Sequence, residues 1–170
     1  NPLPTPTLTS SDPDNVFCAG TSLTFTAGGG LTYNFRIGST SVQNGSSAIY
    51  TTTSLTNGQV VSVIVTDGNG CSSISPGITN TVNPLPAASI SSSDPDNSFC
   101  AGTSVTFTAS GGSAFNFRVG GISVQNGINP TYTTSSLTNG QVVDVVVTNS
   151  NNCVAVSPGI TNNVVALPNA

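Results

Sequence analysis

The sequence predicts an all-β protein built from two tandem, seven-stranded β-sandwiches. Three observations predict it. At an offset of about 82 residues the chain overlays itself without a gap, and roughly two-thirds of aligned positions are identical. Within each copy, short runs alternate apolar and polar residues, with Gly, Asn, Asp or Pro interrupting them every 8–12 residues or about that. No segment carries the 3.6-residue apolar period of a helix.

The organising stretch is Ser11-Asp12-Pro13-Asp14-Asn15-Val16-Phe17-Cys18-Ala19-Gly20-Thr21-Ser22, which returns from Ser93 to Ser104. Asn1-Pro2-Leu3-Pro4 likewise returns as Asn83-Pro84-Leu85-Pro86. Residues 1–4 and 83–86 are therefore predicted linkers, 5–82 and 87–164 the repeats, and 165–170 a linker toward a further repeat. A longer tandem array is the expectation. Units of about 80 residues lie at the small end of independently folding domains, where a cross-link helps.

In the first repeat a strand is expected near Thr5–Ser10, followed by the acidic turn. Ser22–Ala27 comes next, with Leu23 and Phe25 on one face. Gly28-Gly29-Gly30 ends it, because glycine accepts the backbone angles a loop needs. In Thr32–Ile37 the inward residues are Tyr33, Phe35 and Ile37, and the outward ones Asn34 and Arg36. A short strand at Ser41–Gln43 is expected to stop at the hairpin signal Asn44-Gly45. Ile49–Leu55 and Val60–Thr66 flank Asn57-Gly58, and Val61, Val63 and Val65 share a face. Asp67-Gly68-Asn69-Gly70 is a loop leading to Cys71. The last strand, to about Val82, is interrupted by Pro76-Gly77, which implies an edge or a bulge. Seven short strands of this kind read as an immunoglobulin-like sandwich.

Composition excludes several function classes. Only 5% of residues are charged, against about a quarter in ordinary domains. The net charge of −4 with two Arg is no footprint for nucleic acid or an anionic membrane. No run of roughly 18 apolar residues is present to span a bilayer. The absence of His and Lys removes Ser-His-Asp, Cys-His, Schiff-base and Lys-Asn isopeptide chemistry. Asp12 and Asp14 share one turn, whereas a glycosidase pair faces across a cleft. The expectation is that the chain is no enzyme and takes no cofactor. Arg36 and Arg118, the single cation of each repeat, are either solvated on the outer face or paired with an Asp turn of a neighbour. Asn44-Gly45-Ser46 matches a glycosylation sequon, a three-residue pattern of low specificity.

Cys18-Ala19-Gly20 through Ala27, Tyr33-Asn34-Phe35, Val60–Val65 and Asn69-Gly70-Cys71 form a recurring signature. Its second copy runs Cys100 to Ala109, Phe115-Asn116-Phe117, Val142–Val147 and Asn152-Cys153. This signature resembles the immunoglobulin-like or PKD-like (fibronectin type III-like) repeats of giant Bacteroidetes surface adhesins and filaments. Phe35 and Phe117 stand where members often carry Trp, and Asn152 replaces a glycine. The resemblance implies a long extracellular filament exported by the type IX pathway, serving attachment, gliding or cell capture. Flanking identical repeats are its expected partners, with lateral self-association into a fibre.

Two cysteines per repeat, with no CxxC and no His, point to disulfides and an oxidising, extracellular setting. One arrangement joins Cys18 to Cys71 and Cys100 to Cys153. The other joins Cys18 to Cys153 across the repeats, leaving Cys71 and Cys100 for the preceding and following repeats. Strand parity favours the second, since Cys18 and Cys71 fall at opposite ends of one sandwich; both stay open. Asp12, Asp14 and Asn15, with Asp94, Asp96 and Asn97, offer hard oxygen ligands for Ca²⁺ at a repeat junction, or simply build a turn. A carbohydrate-binding module is the alternative function, and Tyr50 and Tyr132 are its candidate aromatics. The Thr-rich faces also raise an ice-binding reading, which lacks the short repeat that a flat Thr ladder needs.

Overall fold

The computed structural model describes residues 2–168. Asn1 of the first predicted linker and residues 169 and 170 of the last lie outside the described residues. The chain divides into two units, Asn1–Pro84 and Leu85–Ala170. Every regular element among the described residues is a β-strand.

The first unit comprises β1 (Thr7–Ser10), β2 (Val16–Cys18), β3 (Leu23–Gly28), β4 (Thr32–Ile37), β5 (Thr40–Gly45), β6 (Ile49–Thr52), β7 (Val60–Thr66), β8 (Ser72–Ile74), β9 (Ile78–Thr79) and β10 (Thr81–Asn83). One antiparallel sheet has the order β1-β3-β6; the other runs β5-β4-β7, with β8 and β9 paired in succession along β7. Their inward residues merge into one core: Leu23, Phe25 and Ala27 from β3 meet Tyr33 and Phe35 from β4 and Val61, Val63 and Val65 from β7. Phe25, Phe35 and the three valines are fully buried. Burying each such side chain contributes about 1.5–3 kcal/mol, which makes this alternation the driving force for the two-layer fold. Two antiparallel sheets of this order around a shared core form an immunoglobulin-like sandwich.

The second unit repeats the plan with β11 (Ser89–Ser92), β12 (Ser98–Cys100), β13 (Val105–Ser110), β14 (Ala114–Val119), β15 (Ile122–Gly127), β16 (Thr131–Thr134), β17 (Val142–Thr148), β18 (Val154–Val156), β19 (Ile160–Thr161) and β20 (Asn163–Val165). Phe107, Phe117, Val143, Val145 and Val147 are its fully buried centre.

The interruption expected at Pro76-Gly77 separates β8 from β9 on the edge of the sheet. Ser75 N–H donates to the Val63 carbonyl at 2.9 Å, and Val63 N–H donates to Ser75 Oγ at 3.1 Å. The buried hydroxyl thus stands in for a carbonyl that the chain turns away at the proline. Gly77 is required here, because a Cβ would fall 2.5 Å from a Val60 methyl.

Three sequence expectations are corrected. Asn44-Gly45 is no hairpin turn: both residues lie in β5, paired with Asn34 and Tyr33, and the chain reverses at Gly38-Ser39 between paired Ile37 and Thr40. Gly38 takes the left-handed φ of 58° that such a two-residue loop demands. The strand expected over Ile49–Leu55 ends at Thr52; Leu55 is buried from a loop instead. Finally, the stretch read as a turn up to Cys18 contains a strand. In β2, Phe17 is buried and Val16 exposed, and β2 pairs in parallel with β10.

Candidate functional site: the two ends of each sandwich

That short parallel pair decides where the cysteines stand. Cys18 is in register with Asn83, and Ala19 N–H donates to the Asn83 carbonyl at 2.9 Å. Asn83 lies beyond the first residue of β7: Val60 pairs with Thr79, and Gly58 N–H reaches the Asn80 carbonyl at 2.9 Å. Cys18 therefore occupies the end from which the chain leaves the unit, the far end.

Cys71 occupies the near end. It follows β7, where Thr66 pairs with Ser72 and receives the Leu31 N–H on its carbonyl. Gly29 there approaches the Thr5 carbonyl so closely that a Cβ would sit 2.1 Å from it. Asp67 shapes the loop: its Oδ1 accepts from Asn69 N–H and Cys71 N–H, each at 2.9 Å. Asn149 repeats this with Asn151 and Cys153 N–H at 3.0 Å. Sequence reading saw only a loop here and missed these anchors, although an Asx residue four positions before each Cys was the available signal. Gly70 and Asn152 both adopt left-handed angles, φ 81° and 61°, so the glycine-to-asparagine change preserves the turn.

The seven residues of β7 hold the two ends about 20 Å apart, whereas a disulfide needs Cα atoms within about 7 Å. The second unit has the same geometry, with Cys100 in register with Val165 and Cys153 following β17. Cys18 and Cys153 are each disulfide-bonded, while Cys71 and Cys100 carry free thiols. One bridge inside each repeat is thus not the arrangement present.

At the far end the acidic turn is held by its own side chains. Ser11 bonds Thr24 in both directions, its N–H to the carbonyl at 2.9 Å and its Oγ from the N–H at 3.0 Å. Asp12 Oδ1 accepts from Asp14 N–H at 3.3 Å and Asn15 N–H at 3.2 Å, and Asp14 Oδ1 accepts from Val16 N–H at 3.1 Å. Asn15 is left-handed (φ 55°), and its carbonyl accepts the Thr81 N–H at 2.9 Å. A side-chain hydrogen bond with Asp14, aided by burial, raises the Asp12 carboxyl above its ordinary value; the same bond and the Val16 N–H lower Asp14. Asp96 is lowered in the same way by Asp94 and Ser98.

For calcium, the donor set is poor. Ca²⁺ takes about six to eight oxygens, and one oxygen of each carboxylate, Oδ1 of Asp12 and Oδ1 of Asp14, already accepts backbone N–H groups. Asn15 Oδ1 is buried without a hydrogen-bond partner, as is Asn97 Oδ1. Among the described residues no three His, Cys, Asp or Glu side chains cluster to hold a metal.

The two arginines have partners inside their own repeats. Arg118 forms a forked pair with Asp144, Nε to Oδ1 and Nη2 to Oδ2 at 2.7 Å each. Arg36 Nη2 donates to the Ser39 carbonyl, and its Nε is buried without a hydrogen-bond partner. Tyr50 and Tyr132 are structural as well: each ring lies against two core phenylalanines, at 6.4 and 5.6 Å in the first repeat and 6.4 and 5.7 Å in the second.

No protein-family model matches the chain, and no curated protein matches it. Among solved structures it is similar to the fibronectin(III)-like modules of Clostridium thermocellum CbhA, with 16% identity over 94% of this chain and 94% of that one and a TM-score of 0.49. It is also similar to the three N-terminal domains of the bacteriophage RB49 Highly Immunogenic Outer Capsid protein (18% identity, 96% of this chain, 59% of that one, TM-score 0.45). A third likeness is to murine CEACAM1b, at 11% identity over 95% of this chain and all of that one, TM-score 0.42. Likenesses of this strength carry no functional argument; it is the strand order and the shared core that make each unit an immunoglobulin-like sandwich.

Proposed function

We propose that the chain is a structural repeat of a long extracellular filament, a shaft that supplies reach and mechanical continuity and performs no catalysis. Its joints are held twice, by the linker Asn83-Pro84-Leu85-Pro86 and by a disulfide between Cys18 and Cys153. One observation carries this reading. Cys18 stands at the end by which the chain leaves the first repeat, Cys153 follows β17 at the end by which it enters the second, and each of the two is disulfide-bonded. A cysteine at each end of a sandwich cannot brace that sandwich, but it suits load transfer from one sandwich to the next. Disulfides persist in oxidising compartments, which supports secretion to the cell surface. The resemblance to Bacteroidetes adhesin repeats adds type IX export and roles in attachment, gliding or prey capture. Flanking repeats are the partners, and near-absence of charge lowers the desolvation cost of packing shafts side by side into a fibre.

The test is a protease site placed in residues 83–86. After cleavage the halves should co-migrate without reductant and separate with it; separation in both lanes sinks the staple. Light scattering of a multi-repeat chain over a range of concentrations tests the fibre, and a constant monomer mass counts against it. Calcium forms no part of the reading: millimolar Ca²⁺ should leave the melting temperature unchanged.

A carbohydrate-binding module remains the second reading because the second repeat has a cleft of about 270 Å³, lined by Val119, Ile122, Val124, Tyr132, Leu137 and Gln141 among others. Glycan-array binding that an Ile122→Asp change abolishes would favour it over a pure spacer.

A further inference from the structure

The two free thiols stand at positions whose repeat counterparts are bonded. Cys100 is the counterpart of Cys18, in the same parallel strand pair at the far end, and Cys71 is the counterpart of Cys153, after the same Asx-anchored loop at the near end. In both cases the free member is the more open one. Cys100 is exposed where Cys18 is half-buried, and Cys71 is half-buried where Cys153 is fully buried. We infer that Cys100 and Cys71 are complementary end couplers that join successive copies of this repeat, far end to near end, with a fixed polarity. This deepens the proposed function and rests on it: the partner is a second copy of this chain, joined far end to near end.

A coupling of different ends leaves an unused end on each product, so it can extend copy by copy, in contrast to a symmetric dimer that pairs like with like and stops. With oxidised glutathione as oxidant, the Cys100 thiolate attacks one glutathione sulfur, forming a mixed disulfide and releasing one reduced glutathione. The Cys71 thiolate of the next copy then attacks the protein sulfur of that mixed disulfide, forming Cys100–Cys71 and releasing the second. Two thiol protons leave with two glutathiones, and two electrons pass to the oxidant.

The experiment incubates the full chain with a glutathione redox buffer, then resolves it without reductant and maps its unreduced digest. A ladder beyond dimer is expected, with a Cys71–Cys100 peptide in the polymer bands. Two variants set the polarity. Cys71→Ser alone and Cys100→Ser alone should each lose the ladder, and their mixture should give a heterodimer through the two remaining thiols. Circular dichroism and melting curves confirm that both variants are folded. A wild-type protein that stays monomeric, a Cys71–Cys100 link confined to monomer, or like-with-like dimers as abundant as the heterodimer would overturn the inference. The same digest reports separately on the underlying reading: a Cys18–Cys153 peptide upholds the staple even where the end coupling fails.

Discussion

Arg118 in the second repeat and Arg36 in the first occupy the same position of the same strand, yet the residue that each faces across the strand pair differs. Across the strand pair, Arg118 faces Asp144, and Arg36 faces Ser62. Asp144 completes a fork of two 2.7 Å bonds and holds the guanidinium protonated above its ordinary range. Ser62 is too short to do so, and Arg36 turns instead to the Ser39 carbonyl. The first repeat has compensations of its own. Tyr33, which is Phe115 in the second, donates from its hydroxyl to the Gly30 carbonyl at 2.7 Å. The comparison teaches that the apolar layers define the unit, while the polar layer varies between copies without disturbing register.

The largest effects should therefore be equal in the two repeats. Phe35→Ala and Phe117→Ala each empty a fully buried site and should cost about 3–5 kcal/mol, read from urea unfolding of the whole chain. A marked inequality would break the claim that the cores are equivalent. Next come the arginines. Asp144→Ser copies the first repeat into the second and should cost about 1 kcal/mol, a value reduced by solvent screening of a part-exposed pair. Ser62→Asp should recover a similar amount for the first repeat by giving Arg36 its missing fork. Tyr33→Phe should cost the first repeat about 1 kcal/mol, the typical worth of one hydrogen bond. Asn152→Ala should lose about 1 kcal/mol through the left-handed backbone, whereas Asn152→Gly should be nearly neutral.

The acidic turn should give the smallest effect, one of titration rather than stability. As pH falls, Asp12 takes its proton first, above the ordinary carboxylate range, and Asp14 last, below it. The lowered Asp14 adds stability at higher pH that is lost as pH falls through its folded pKa. The raised Asp12 has the opposite sign: its contribution is present in acid and lost as pH rises through its folded pKa. Carboxyl chemical shifts followed by NMR should show the two steps, and Asp14→Asn should bring Asp12 back toward its usual value.

Much of the fold was legible because a sheet face is a local pattern. Leu23-Thr24-Phe25 and Val61-Ser62-Val63 announce burial by alternation, and β3, β4 and β7 lie where that alternation stands. The Asn44-Gly45 signal misled because a turn dipeptide states what the backbone can do, and Gly38 was also available to make the hairpin. Strand β2 was illegible for a different reason. Three residues hold too little periodicity to register, and its partner β10 is about 65 residues further along the chain.

The cysteines show the same division. The sequence by itself determined that two all-β repeats exist, that their cores are apolar and alike, and that no His or Lys is present for catalysis. It also placed one cysteine after the acidic turn and one after the Val-rich strand of each copy. Strand parity already put the two at opposite ends of one sandwich; what the tertiary structure added is the device that holds Cys18 there, the parallel pairing of β2 with β10. Alternation is encoded residue by residue, while pairing between distant segments is decided by which edges remain open once the core has closed.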